Sequence, residues 1–140
     1  GYQYTWEAAY TKDNVVKATS NDYPAFKAAA EYNPGVTVTD GLVGRKWFLP
    51  SLGQFKYLYT LGGTDITSLT GAFTYTNTNG DKIMQAFTDA GGETFLDKIC
   101  WNATELDFRF SSSVKILSDR ISEGGTTKPT KYLVRPFILF

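Results

Sequence analysis

The sequence predicts an α+β fold with helices packed against an antiparallel sheet, and three observations carry that prediction. Apolar residues recur at helical spacing between residues 22 and 90, and from residue 95 onward the chain turns to β-branched and aromatic runs of strand length. The third is Ser51 followed three residues later by Gln54, the spacing of a capping box at the entrance of a helix. Helices first and strands afterwards is the order of an α+β domain.

Taken in order, residues 22–33 are predicted as the first helix, with Tyr23, Phe26, Ala29 and Ala30 on one face and Pro24 in its first turn. Pro34-Gly35 stops it, Val36-Thr37-Val38-Thr39 alternates like a short extended piece, and Asp40-Gly41 supplies a turn before the apolar strand end Trp47-Phe48-Leu49. Leu52, Phe55, Leu58 and Tyr59 then follow the capping box at helical spacing until Gly62-Gly63. Residues 64–79 are rich in Thr, Gly and Asn and read as loop, with a short extended piece at 73–76. Asp81 opens a third helix whose buried face holds Ile83, Met84, Phe87 and Ala90, and Gly91-Gly92 closes it. Strands are expected at 99–104, 106–110, 114–117 and 132–140, with 124–129 as a long mobile connection into the last of them.

At 140 residues, with no internal repeat and no linker, the chain is expected to be one domain spanning 1–140. Fourteen basic residues balance fourteen acidic ones without any Lys or Arg run, so the electrostatic footprint of a nucleic-acid binder is missing and no nucleic-acid partner is expected. Gly1-Tyr2-Gln3 does not begin a signal peptide, and no apolar stretch approaches the ~20 residues of a spanning helix. Attachment to a membrane is therefore expected only through an anchor outside this chain.

The chain has no histidine and a single cysteine, which rules out Ser-His and Cys-His nucleophilic pairs, imidazole-bearing zinc sites and any intrachain disulfide. A mechanism built on two carboxylates survives as a distant alternative. Cys100 sits between Ile99 and Trp101 in an apolar strand, the setting of a buried and inert thiol. Asn102-Ala103-Thr104 satisfies the glycosylation pattern, a match common by chance. Aromatic residues make up 16% of the chain, enough both to fill a core and to supply the rigid contact surface of a binding domain.

Four elements occur in order: Trp47-Phe48-Leu49-Pro50-Ser51-Leu52-Gly53-Gln54, Ala90-Gly91-Gly92, Trp101-Asn102-Ala103-Thr104-Glu105 and Tyr132-Leu133-Val134-Arg135-Pro136-Phe137. Together they resemble the bacterial surface-protein family, frequent in Bacteroidetes, called the Fibrobacter-type major paralogous domain. Its members carry Gly-Trp-x-Leu-Pro-Ser, Tyr-Trp-Ser-Ser-Thr-Glu and Val-Arg-x-Val/Phe elements. The resemblance covers residues 22–140, with Cys100 and Asn102 in place of the family's Tyr and Ser.

What the resemblance implies is a C-type lectin-like fold, with helices around a small twisted sheet, termini held close and long loops on one side. It also implies export to the bacterial cell surface, outer membrane or periplasm, commonly as a lipoprotein or a module of a fimbria-like adhesin, and binding instead of catalysis. The expected partner is a glycan or a surface protein, with a structural role in a fimbria-like assembly as the alternative. Trp47, Pro50, Ser51, Gln54, Trp101, Glu105 and Arg135 are expected to hold the scaffold, the last two as a partly buried charge pair. Neither the Glu-Pro-Asn nor the Gln-Pro-Asp nor the Trp-Asn-Asp motif of calcium-dependent lectins is present, Ala103 following Asn102 without a side-chain oxygen, so no metal or other cofactor is expected. A ligand surface is expected on the loops after Glu105 and before the last strand, where Asp107, Arg109, Arg120, Glu123, Lys128 and Lys131 supply polar groups. Tyr57, Tyr75 and Phe108 are the aromatics whose exposure beside these groups would favour a glycan.

Overall fold

The computed structural model describes residues 1–33, 44–69 and 75–138. Among them are four α-helices, α1 (Tyr2–Trp6), α2 (Pro24–Ala30), α3 (Leu52–Leu61) and α4 (Gly80–Asp89). Seven strands accompany them: β1 (Trp47–Phe48), β2 (Tyr75–Asn77), β3 (Ile99–Glu105), β4 (Phe110–Ile116), β5 (Arg120–Thr127), β6 (Leu133–Val134) and β7 (Phe137–Ile138). The expected α+β class holds. The described residues fall into two compact units, one from Gly1–Pro50 and Val134–Phe140, the other from the continuous segment Ser51–Leu133. The expected helix stop at Pro34-Gly35, the extended piece 36–39 and the turn at Asp40-Gly41 lie outside the described residues, as do 73–74 and the last two residues of the expected final strand.

In the first unit the two ends of the chain meet on Trp47-Phe48-Leu49. β1 pairs antiparallel with β7, Trp47 opposite Ile138 and Phe48 opposite Phe137. α1, for which the sequence carries no cap or clear periodicity, is tied to the same segment: the Trp6 indole donates to the Trp47 carbonyl at 2.8 Å, and the buried Thr5 hydroxyl accepts from the Leu49 amide at 3.3 Å. Phe48 is enclosed edge-on by Tyr2 and Phe137, and Tyr32 packs edge-on against Trp47 at 4.9 Å. α2 has Pro24 in its first turn, as expected, but runs only from Pro24 to Ala30, inside the expected 22–33 at both ends.

In the second unit the strand order is β2-β5-β4-β3-β6. Inward-facing Cys100, Val114, Ile116 and Ile121 form the sheet's contribution to the core, and Leu52, Phe55, Tyr59, Ile83, Met84 and Phe95 complete it. α3 carries the complete capping box: the Ser51 hydroxyl accepts from the Gln54 amide, and the Gln54 side chain accepts from the Ser51 amide at 3.0 Å. Both long helices end in the same way. Gly63 (φ +88°) and Gly91 (φ +74°) take the left-handed conformation just past the helix, and the next residue donates back five positions, Thr64 to Tyr59 and Gly92 to Phe87.

Several expectations are corrected here. Ala90 is exposed at the end of α4, and the half-buried Ala86 joins the inner face instead. Residues 106–109 are not a strand, and Phe110 instead opens β4, four residues before the strand expected at 114–117. Asp107 accepts from the amides of Arg109 and Phe110, which folds the segment into the turn between β3 and β4. The stretch 124–129 is not a mobile connection, because Gly124 to Thr127 belong to β5 and pair with Ser113 to Phe110. The terminal strand is split by Arg135-Pro136: β6 lies at the edge beside β3, and β7 pairs with β1. Proline supplies no amide for a ladder, so a break at that point follows from its chemistry.

Candidate functional site

Two polar constellations lie in the second unit, one inside and one at the end of the β3–β4 hairpin. The inner one corrects an expectation. Glu123 is not a surface group: its side chain is 1% exposed, it lies 3.7 Å from the Lys56 ammonium, itself 11% exposed, and it accepts from the Tyr59 hydroxyl at 2.8 Å. Burial, and then the adjacent Glu123 charge and its hydrogen bond, push the Tyr59 phenol far above its ordinary value. The neutral phenol binds its proton more tightly in the folded chain than in the unfolded one. The resulting stability is complete below the unfolded pKa of about 10 and is lost as pH rises beyond it. Alkaline unfolding followed by circular dichroism is expected to show stability falling above pH 10 by about 1.4 kcal/mol per pH unit, a component that Tyr59→Phe removes.

The outer constellation rests on an irregularity in β3. Trp101 faces Ser113 and Glu105 faces Ser111, so four steps along β3 correspond to two along β4. Asn102 stitches this bulge together: its amide nitrogen donates to Ser112 at 3.0 Å, its carbonyl oxygen accepts from the Thr104 amide at 3.0 Å, and the residue is buried. That occupation makes Asn102 a structural residue. The bulge turns the Thr104 hydroxyl toward α3, where it accepts from the Leu52 amide at 2.9 Å and satisfies a second free donor of the helix start. Sequence reasoning missed Asn102 and Thr104. Asn in mid-strand is itself a signal that a side chain is bonding backbone.

Beyond the bulge the hairpin end gathers Glu105, Asp107, Phe108, Arg109 and Lys128. Asp107 is fixed by backbone donors at 2.6 and 2.8 Å, and these amides hold its carboxyl below the usual carboxylate range. The Lys128 amide donates to the Arg109 carbonyl at 3.0 Å, and the Lys128 ammonium is ion-paired with Glu105. Phe108 is 78% exposed, and the Arg109 guanidinium stands over it at 5.0 Å from the ring centre and 5.7 Å from that of Phe110.

The structure therefore brings Asp107, Arg109 and Lys128 together, with Phe108 beside them, and separates Glu123 from them. Arg120 opens β5 at its far end, facing Asn77 and bonded to Asp119. Lys131 is exposed on the run into β6, just past Thr130, whose carbonyl accepts from the Trp101 indole at 3.2 Å. Trp101 also packs at a tilt against Tyr132, ring centres 5.1 Å apart, which anchors the segment leading from β5 to β6. Tyr57 is exposed on α3, and the Tyr75 side chain lies outside the described residues.

The expected partly buried Glu105–Arg135 pair is replaced. Glu105 is 54% exposed and pairs with Lys128, because the register sets it across the start of β4 from the end of β5, Glu105 opposite Ser111 and Ser111 opposite Thr126. Arg135 is half-buried in the other unit, between β6 and β7. Trp47 and Pro50 belong to that first unit as well, half-buried and buried respectively. Among the described residues no group of three or more His, Cys, Asp and Glu is placed to hold a metal ion, and no helix is long and apolar enough to cross a membrane. Comparison with protein-family models, with characterised proteins and with solved structures finds no match to this chain.

Proposed function

We propose that the chain is a non-catalytic binding or adhesion module of an exported bacterial surface protein, recognising a glycan or a protein surface through the end of the β3–β4 hairpin. The observation that carries the proposal is Phe108, a large apolar ring left in solvent beside a guanidinium on a turn fixed by Asp107. An exposed aromatic on a rigid hairpin offers contact area at little entropic cost. Nearby carboxylates are already engaged, Asp107 with two amides and Glu105 with Lys128, an arrangement better suited to holding a surface than to moving protons.

The scaffold of this proposal is C-type lectin-like. Its support is the order of the four sequence elements and the first unit, where α1 and β7 both fasten to Trp47-Phe48-Leu49 and so draw the two chain ends together. A second reading, a structural module of a surface assembly, is favoured by Tyr57 and Leu61, exposed one turn apart on α3.

A glycan array probed with the isolated chain, with and without calcium, tests the proposal. Binding that is independent of calcium and reduced on the order of tenfold by Phe108→Ala, with the melting temperature unchanged, is the expected result. No retention on any glycan, together with self-association of the chain that Tyr57→Ser abolishes, would favour the assembly reading.

A further inference from the structure

Resting on the reading of the hairpin end as the recognition surface, we infer that its ligand is an acidic saccharide whose carboxylate is gripped by Arg109 while the sugar ring lies on Phe108. The donors left open at the hairpin end decide the ligand's chemistry. Glu105 pairs with Lys128, and the Asp107 carboxylate is held by the amides of Arg109 and Phe110. Arg109 is different. Its backbone carbonyl is used by Lys128, but among the described residues its guanidinium makes no hydrogen bond and no ion pair: it touches the rings of Phe108 and Phe110 and feels the Asp107 charge at longer range. An aromatic face supplies no acceptor oxygen, so the planar fork of N–H donors is left for a ligand, and a carboxylate matches that fork in a bidentate way. The two rings hold the guanidinium in place before binding, which lowers the ordering cost.

The aromatic partner decides the class. The negative face of Phe108 attracts the polarised C–H groups on one side of a sugar ring. A single ring beside a single fork spans about one sugar unit, far less than the surface a stable protein partner covers. Lys131, exposed three residues beyond Lys128, would favour a second acidic unit along the same chain.

Isothermal titration with trigalacturonate, uncharged galactotriose and triaspartate distinguishes the outcomes. Trigalacturonate is expected to bind, galactotriose to bind at least about tenfold more weakly, and binding to weaken as salt is raised. Arg109→Gln is expected to weaken trigalacturonate on the order of tenfold, with Arg109→Lys recovering only part, since a lysine keeps the charge and loses the fork. Both variants are at an exposed position and are expected to melt with the parent. Equal affinity for the neutral sugar, unchanged by Arg109→Gln but lost in Phe108→Ala, would overturn this inference and leave saccharide recognition standing. Triaspartate binding as tightly as trigalacturonate would overturn the sugar assignment. Absence of binding to every saccharide, here and on the array, would overturn both.

Discussion

Lys56→Met is expected to lower the unfolding free energy by about 3–5 kcal/mol, read from urea denaturation at neutral pH. The side chain is nearly as long as lysine's apolar stem, so little packing is lost, and the effect comes from Glu123. With its side chain 1% exposed, Glu123 cannot turn to water when the ammonium 3.7 Å away is removed, and a buried carboxylate loses its opposite charge while keeping the Tyr59 hydroxyl. The cost is one of stranding, not a measure of what the pair contributes. Replacing all three polar groups together, Lys56→Met with Glu123→Leu and Tyr59→Phe, is therefore expected to recover most of the loss. A single-variant cost below about 1 kcal/mol, the range of a solvated ion pair, would show that water reaches Glu123.

Gly80→Ala is expected to be comparably damaging, at about 3 kcal/mol and roughly 10 °C in melting temperature. Gly80 is the buried first residue of α4, and its amide donates to the Ser118 carbonyl at 2.9 Å, while the Thr78 amide donates to Asp119 at 3.2 Å. The start of the helix is thus laid directly on the turn between β4 and β5. A Cβ at this position would overlap the Leu117 carbonyl oxygen, with the carbonyl carbon at 2.8 Å and the Ile116 side chain at 2.9 Å. Backbone cannot yield as a flexible side chain does. Gly53→Ala provides the control: it is exposed in α3, its added methyl meets only the Ser51 hydroxyl at 3.9 Å, and it is expected to gain about 0.5–1 kcal/mol.

Features written in local chemistry were legible in the sequence. The Ser51–Gln54 box and the closing glycines of α3 and α4 depend on residues a few positions apart, and they stand where expected. β3 and the place of Pro24 in the first turn of a helix were legible for the same reason. β5 was not, because Gly124-Gly125 is a loop signal in isolation and becomes strand only when β4 supplies Ser113 and Ser112 as partners. That error carried Glu123 with it. Ile121 and Glu123 are two apart, so a strand assignment would have placed both on the inner face, as the structure does. The hairpin end was half legible: Asp107, Arg109 and Lys128 were named as polar groups, but their meeting depends on pairing between β4 and β5. The Glu105 partner could not be found from motif order, since it is set by the register of β3 and β5 on either side of β4.

The pairing of β1 with β7 sets a timetable for synthesis. Residues 47 and 48 emerge from the ribosome early, yet the strand that completes their sheet lies some ninety positions downstream. Ser51–Leu133, continuous in sequence and closed by neighbouring hairpins, can condense while that partner is still being made. Trp47 and Phe48 must wait, and an arrested nascent chain ending before Phe137 would keep them within reach of chaperones and proteases.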